Sequence, residues 1–184
     1  YTEKSPYRRA RYKPGEEITE DKLFGEFLAK NKNGIIGYVP QPKDAPLLRD
    51  RIEYLIENHS LDVEVKNLNI EIPTFQYSNP PIESILKRTK FVGAVKAESD
   101  IDNVFRRTHL LYKAKNKKGE EKYFPFLSLQ AYLIQRDVKK ITLENDTLSL
   151  DDVKVPLDKE GKLRIKYKYS NDAYKDYNLF EIFD

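Results

Sequence analysis

The chain has 184 residues and a formal charge of +3, with 39% apolar and 34% charged side chains. That length and apolar share support one packed domain and exclude a disordered chain, and so small a net charge excludes a strong electrostatic footprint for nucleic acid. There is no cysteine, which excludes a disulfide framework, thiolate catalysis and cysteine–zinc sites.

The sequence opens on Tyr1 and contains no Met, which reads as a piece of a longer protein. No signal-peptide pattern is present. The longest uncharged stretch, Tyr123–Gln135, is too short to span a bilayer. The expectation is a soluble piece, compatible with excision from a membrane protein.

Tyr1–Glu17 is basic and tyrosine-rich and reads as an extended arm. Arg8, Arg9, Arg11 and Lys13 interleave with Tyr7 and Tyr12, a pattern that grips phosphate and stacks bases in some proteins. Charge runs are more often simply solvated, and that reading is preferred. Thr19 then reads as an N-cap, followed by Glu20 and Asp21 where acids favour the dipole. A helix over Thr19–Lys32 places Leu23, Phe24, Phe27 and Leu28 on one face, and Asn33-Gly34 stops it. Ile35–Val39 reads as a strand buried on both faces.

Pro40–Pro46 is a predicted loop, and Leu47–Glu57 a second helix with Ile52, Leu55 and Ile56 inward. Asp62–Ile72 alternates as a strand with a bulge or turn near Asn67. Pro73–Pro81 is a predicted loop, Pro81–Lys87 a helix, and Phe91–Val95 another buried strand. Asp100–Asn103 forms a polar turn into a strand over Val104–Tyr112. Val104, Arg106, Thr108 and Leu110 would share one face, and Phe105, Arg107, His109 and Leu111 the other. A charged turn, Lys115–Glu121, returns through Lys122-Tyr123-Phe124. Pro125 then opens a helix through Gln135.

Downstream the chain is β-rich. Ile141 and Leu143, then Leu148 and Leu150, then Val153, Val155 and Leu157 alternate between turns at Glu144–Asp146 and Asp151-Asp152. Asp158–Gly161 turns into Leu163, Ile165, Tyr167 and Tyr169, and Asn178 reads as the N-cap of a closing turn over Leu179–Phe183. The fold class is α/β, in the mixed α+β sense. A mixed sheet is flanked by helices, with a β-hairpin-rich C-terminal part over Ile141–Tyr169 that extends the sheet or stands beside it.

Three runs carry a family resemblance. The first is Asp100–Leu111 with its Arg106-Arg107 pair, followed by Tyr123-Phe124-Pro125-Phe126-Leu127-Ser128-Leu129-Gln130-Ala131. The second is Val155-Pro156-Leu157-Asp158, Gly161 and Leu163–Tyr167; the third is Tyr177–Phe183. In this order they resemble the type 2 CHASE family, sensory extracellular domains associated with cyclases and histidine kinases. Asn103 stands where the family usually has Gly, and Arg49–Tyr77 has no clear counterpart, making it a candidate insertion. The family has further elements before the arm and after Asp184, so an open sheet edge is expected.

The resemblance implies a non-enzymatic, extracytoplasmic sensor on the periplasmic side of the inner membrane of a bacterium. It implies partners in an unnamed ligand, in the chain's own membrane helices and in a cytoplasmic cyclase or kinase output domain. A homodimer fits signalling of that kind. No cofactor and no nucleic-acid partner are implied.

Arg106 and Arg107 are the candidate ligand-binding residues, as forks for a carboxylate or phosphate or as structural anchors. Asp100 and Asp102 evoke a calcium loop but lack its sixth-position Gly and twelfth-position Glu, so a turn is preferred. Asp151-Asp152 reads the same way. His59 sits at a predicted helix end, where an imidazolium favours the dipole, and His109 packs within a sheet. Asp62, Glu64 and Lys66, with an upstream acid such as Asp50, have the spacing of a metal-dependent nuclease, although plain alternation explains it. Lys162–Tyr177 interleaves Arg164, Lys166 and Lys168 with tyrosines, as on a face that stacks single-stranded nucleic acid. A half-buried strand with a polar outer face gives the same pattern. A nucleic-acid-binding domain and a metal-dependent hydrolase are therefore the two alternatives to a sensor.

Overall fold

The computed structural model describes residues 19–30, 34–41 and 49–167. The expected arm over Tyr1–Glu17 and the closing turn near Asn178 lie outside the described residues.

A hairpin stands at the centre. Strands β6 (Leu111–Lys115) and β7 (Glu121–Pro125) pair antiparallel, with Tyr112 opposite Phe124 and Lys113 opposite Tyr123. The Asn116 side chain closes the turn by accepting from the Lys118 and Glu120 amides at 3.0 and 2.9 Å. Because strand side chains alternate, Tyr112, Ala114 and Phe124 enter one core while Leu111 and Tyr123 enter a second.

The first core lies under a three-stranded mixed sheet. Strand β1 (Ile35–Gln41) runs parallel to β4 (Phe91–Ala94) and antiparallel to β3 (Tyr77–Asn79). Helix α2 (Arg49–Asn58) inserts Ile52, Leu55 and Ile56, and α3 (Glu83–Leu86) inserts Leu86. Tyr38, Phe75 and Phe124 meet edge-on or tilted, with centroids 5.2 to 6.4 Å apart. The second core lies between α4 (Leu127–Arg136) and a four-stranded sheet. That sheet has the order β10 (Val153–Pro156), β9 (Thr147–Leu150), β8 (Ile141–Glu144), β2 (Glu64–Lys66). Its tight turns place Asn145 and Asp151 at φ 55° and 52°, where short polar side chains tolerate the left-handed region.

The mixed α+β class and the meander therefore stand as read, and the meander takes β2 as its fourth strand, apart from the first sheet. Arg49–Tyr77 is woven into both sheets, through β2 against β8 and through Phe75 and α2 in the first core. Strands β2 and β10 are outer strands, and Glu64, Val65 and Lys66 are all exposed.

Several expectations need correction. Helix α1 (Thr19–Lys30) buries only Leu28 of its Leu–Phe stripe: Leu23, Phe24 and Phe27 are 59%, 46% and 58% exposed. The helix approaches α3 at Gly25, so closely that a Cβ there would lie 2.8 Å from the Ser84 carbonyl oxygen. The smallest side chain, not the most apolar stripe, sets its rotation. Strand β1 is not buried on both faces; Tyr38 and Pro40 point inward while Gly37 and Val39 are exposed.

Of the long strand over Asp62–Ile72, only Glu64–Lys66 pairs, since Asn67 turns the chain with φ 43°. The predicted loop Pro73–Pro81 contains β3. Pro125 does not open a helix; it ends β7 opposite Leu111. The Phe126 amide prolongs the ladder by donating to the Leu110 carbonyl at 2.8 Å, so α4 begins only at Leu127.

Candidate functional site

The strand expected over Val104–Tyr112 is regular only in β5 (Arg107–His109) and β6, with a bend at Leu110 between them. The bend switches the chain from one partner to another. Strand β5 pairs antiparallel with β11 (Lys162–Arg164), with His109 opposite Lys162 and Arg107 opposite Arg164. Strict alternation fails there, and His109, Leu110, Leu111 and Tyr112 are all buried in a row. The Ile165 amide extends the ladder by donating to the Arg106 carbonyl at 2.7 Å. The Tyr167 hydroxyl donates to the Phe105 carbonyl.

Two turns flank this small sheet. In the first, the Asn103 amide donates to the Asp100 carbonyl at 2.9 Å and Asn103 has φ 60°. In the second, Asp158 Oδ1 accepts from the Glu160 and Lys162 amides at 3.0 and 2.9 Å. Gly161 completes this turn at φ 70°, where a Cβ would lie 2.3 Å from the Glu71 carbonyl oxygen.

The paired arginines tie these turns together. Arg107 Nε donates to Asp100 Oδ1 at 3.0 Å, and its Nη1 donates to Asp158 Oδ2 at 3.0 Å. Glu160 lies 3.5 Å from the same guanidinium. Arg106 Nη1 donates to Asp102 Oδ1 at 2.8 Å, beside Asp100 at 3.7 Å. Asp102 also accepts from the Val104 amide at 3.2 Å, so Asp100–Asn103 is a turn stapled by arginine. Burial pushes the Asp158 carboxyl up, but the Lys162 amide, the Arg107 guanidinium and the Glu160 amide outweigh it and hold it below the usual range. Arg107 is raised by its hydrogen bonds to Asp100 and Asp158.

Behind these arginine contacts, His109 is only 8% exposed. Its ring lies 5.8 Å from that of Tyr112, its Nε2 lies 3.8 Å from Glu98 Oε2, and its Nδ1 has no hydrogen-bond partner. Burial, with Lys162, lowers its pKa, against the pull of Glu98, Asp158 and Glu160. Burial pushes the Tyr112 hydroxyl up to about 12.

Beside the same small sheet runs a groove of about 600 Å³. Phe105, Leu110, Phe126, Leu163 and Ile165 supply its apolar walls. Arg107, Arg164 and Lys166 also line it, and none of the described lining residues is acidic. Its size falls within the range of small-molecule sites. A smaller cleft, about 250 Å³, lies over Ile52, Ile56 and Tyr77 and is edged by the Lys117–Glu53 ion pair at 2.9 Å.

The other candidates are placed as follows. Glu64 is held by Lys66 at 2.7 Å and Lys140 at 3.1 Å on an exposed strand, and these lysines draw its pKa down to about 2. Among the described residues no group of three or more His, Asp or Glu is placed to hold a metal. Asp151 accepts from the Lys139 and Lys140 amides in a hairpin turn, as read. His59 directly follows α2, and its Nε2 lies 3.2 Å from the Leu86 carbonyl oxygen, which joins α2 to α3; burial lowers its pKa, which works against an imidazolium there.

Arg107 thus reaches the groove, while Arg106 is spent on the turn. The roles of Asp158 and of the groove walls were not visible in the sequence beyond the turn chemistry of Asp158–Gly161. Among the described residues no helix is long and apolar enough to cross a membrane.

A family model described as the CHASE2 domain matches residues 1–184. No curated protein and no solved structure matched the chain.

Proposed function

Because the chain belongs to the CHASE2 family, a family of extracellular sensory domains, we propose that it is the extracytoplasmic input module of a membrane-anchored bacterial receptor. The match over the whole chain is the observation that carries this reading. A stimulus shifts the population between two arrangements of the domain, and the shift passes through membrane helices to a cytoplasmic cyclase or kinase, in a homodimer. The β5–β11 pair suits this role. It has only three register pairs, and it stands apart from both larger sheets. Arg107 is assigned as a ligand contact within the groove, and Arg106 as the anchor of the Asp100–Asn103 turn.

The absence of cysteine offers a direct test. Lys139→Cys, at a side chain 73% exposed, is placed in the full-length parent otherwise freed of cysteine. Cells are treated with a maleimide that crosses the outer membrane but not the inner. Labelling of intact cells is expected. Labelling only after lysis overturns the extracytoplasmic assignment.

A further inference from the structure

We propose that the groove beside β5 and β11 binds a small organic carboxylate with an extended apolar body. Three observations converge. The walls, from Phe105, Leu110, Phe126, Leu163 and Ile165, offer a nearly continuous apolar surface in about 600 Å³, enough for a drug-sized molecule. The charged part of the lining is one-signed, with three cations and no described acid. Among the described residues Arg164 and Lys166 make no ion pair, although ion pairs hold most charges around the neighbouring turns. Both are exposed, so their heads stand at the rim while the apolar side chains form the wall.

Arg107 differs from them. It lines the groove, but its guanidinium is already held by Asp100 and Asp158. A carboxylate therefore seats between Arg164 and Lys166, where charge-assisted hydrogen bonds form with groups that have no competing partner among the described residues. The tail lies along Phe105, Phe126 and Ile165. Cations or neutral amphiphiles of equal length lack this head-group contact. Occupation bridges β11 to the segment before β5, so it acts on the β5–β11 pair.

The inference extends the sensory reading, but its test does not depend on membrane location. Octanoate, octanol and octylammonium are titrated separately into the 184-residue chain, each to about 5 mM, with backbone amides followed by NMR. Octanoate is expected to shift amides of Phe105–Leu110 and Leu163–Lys166 saturably, and the other two to bind about tenfold more weakly or not at all. Arg164→Ala with Lys166→Ala is expected to weaken octanoate by about tenfold while leaving the rest of the spectrum in place. If that double variant fails to fold, Lys166→Glu alone gives the same readout. Equal binding of all three probes, binding unchanged in the variants, or no octanoate shift at these amides overturns the proposal. Should cysteine labelling place the domain outside the cytoplasm while octanoate fails, this inference alone falls.

Discussion

Arg107 and Asp158 are 51 residues apart in sequence and joined at 3.0 Å through Nη1 and Oδ2. The same guanidinium holds Asp100, so one side chain ties the turn before β5 to the turn before β11. Asp158 is the better target of the two, because its other oxygen also accepts the Glu160 and Lys162 amides.

Asp158→Ala removes all three contacts and leaves Arg107 with less of its cage. A loss of about 1–2 kcal/mol is expected, discounted for partial exposure. Thermal unfolding followed by circular dichroism should show a Tm lower by roughly 3–6 °C. Asp158→Asn keeps an acceptor for the amides and should cost less than Asp158→Ala. Equal losses in the two variants contradict a turn-capping role for this side chain.

The pH dependence follows from His109. Its folded pKa is lowered from 6.5 by burial and by Lys162. For a group depressed in the folded state, the stability it contributes is present above the unfolded pKa. It is lost as pH falls through the folded value. Chemical denaturation should therefore show stability declining as pH drops below 6.5, and His109→Gln should flatten that part of the curve. NMR titration of the ring should give a midpoint below 6.5. At lower pH the depressed carboxyls, Asp158 and Asp102 among them, add a second decline as they take up protons.

Two turn residues with positive φ should respond differently. Gly161→Ala places a Cβ at a left-handed position and 2.3 Å from the Glu71 carbonyl oxygen. It should cost at least about 1–2 kcal/mol. Asn103→Gly, at φ 60° in an exposed turn, should leave stability within about 0.5 kcal/mol of the wild type. Denaturant midpoints at constant slope measure both.

Phe124 is fully buried and touches the rings of Tyr38 and Phe75 at 6.4 and 5.2 Å. Phe124→Ala should cost about 3–5 kcal/mol, since the cavity opens where the hairpin meets the first core. A Tm lower by roughly 8–15 °C is expected for a chain of this size. Ala substitution at the exposed Phe27, 58% accessible, should change Tm by little.

Much of the fold was legible locally. The meander β8–β9–β10 was readable because alternation and turn chemistry agree over a few residues: Leu143, Leu148 and Leu150 face inward, and Asn145 and Asp151 occupy the left-handed turns. Helices α2 and α4 were readable from spacing for the same reason. Strand β3, the bend at Leu110 and the end of β7 at Pro125 were not, because each depends on which distant strand is available for pairing.

The sequence by itself determined the alternation, the turns, the helical faces and the family motifs around Arg106-Arg107, since all of these act through neighbours along the chain. Only the tertiary structure decided that Arg107 belongs to Asp100 and Asp158, that Leu23 and Phe27 stay in water, and that Arg164 and Lys166 share a groove with Phe105 and Phe126. Charge pairing and burial depend on separation in space, and residues far apart in sequence acquire that separation only when both cores close around the central hairpin.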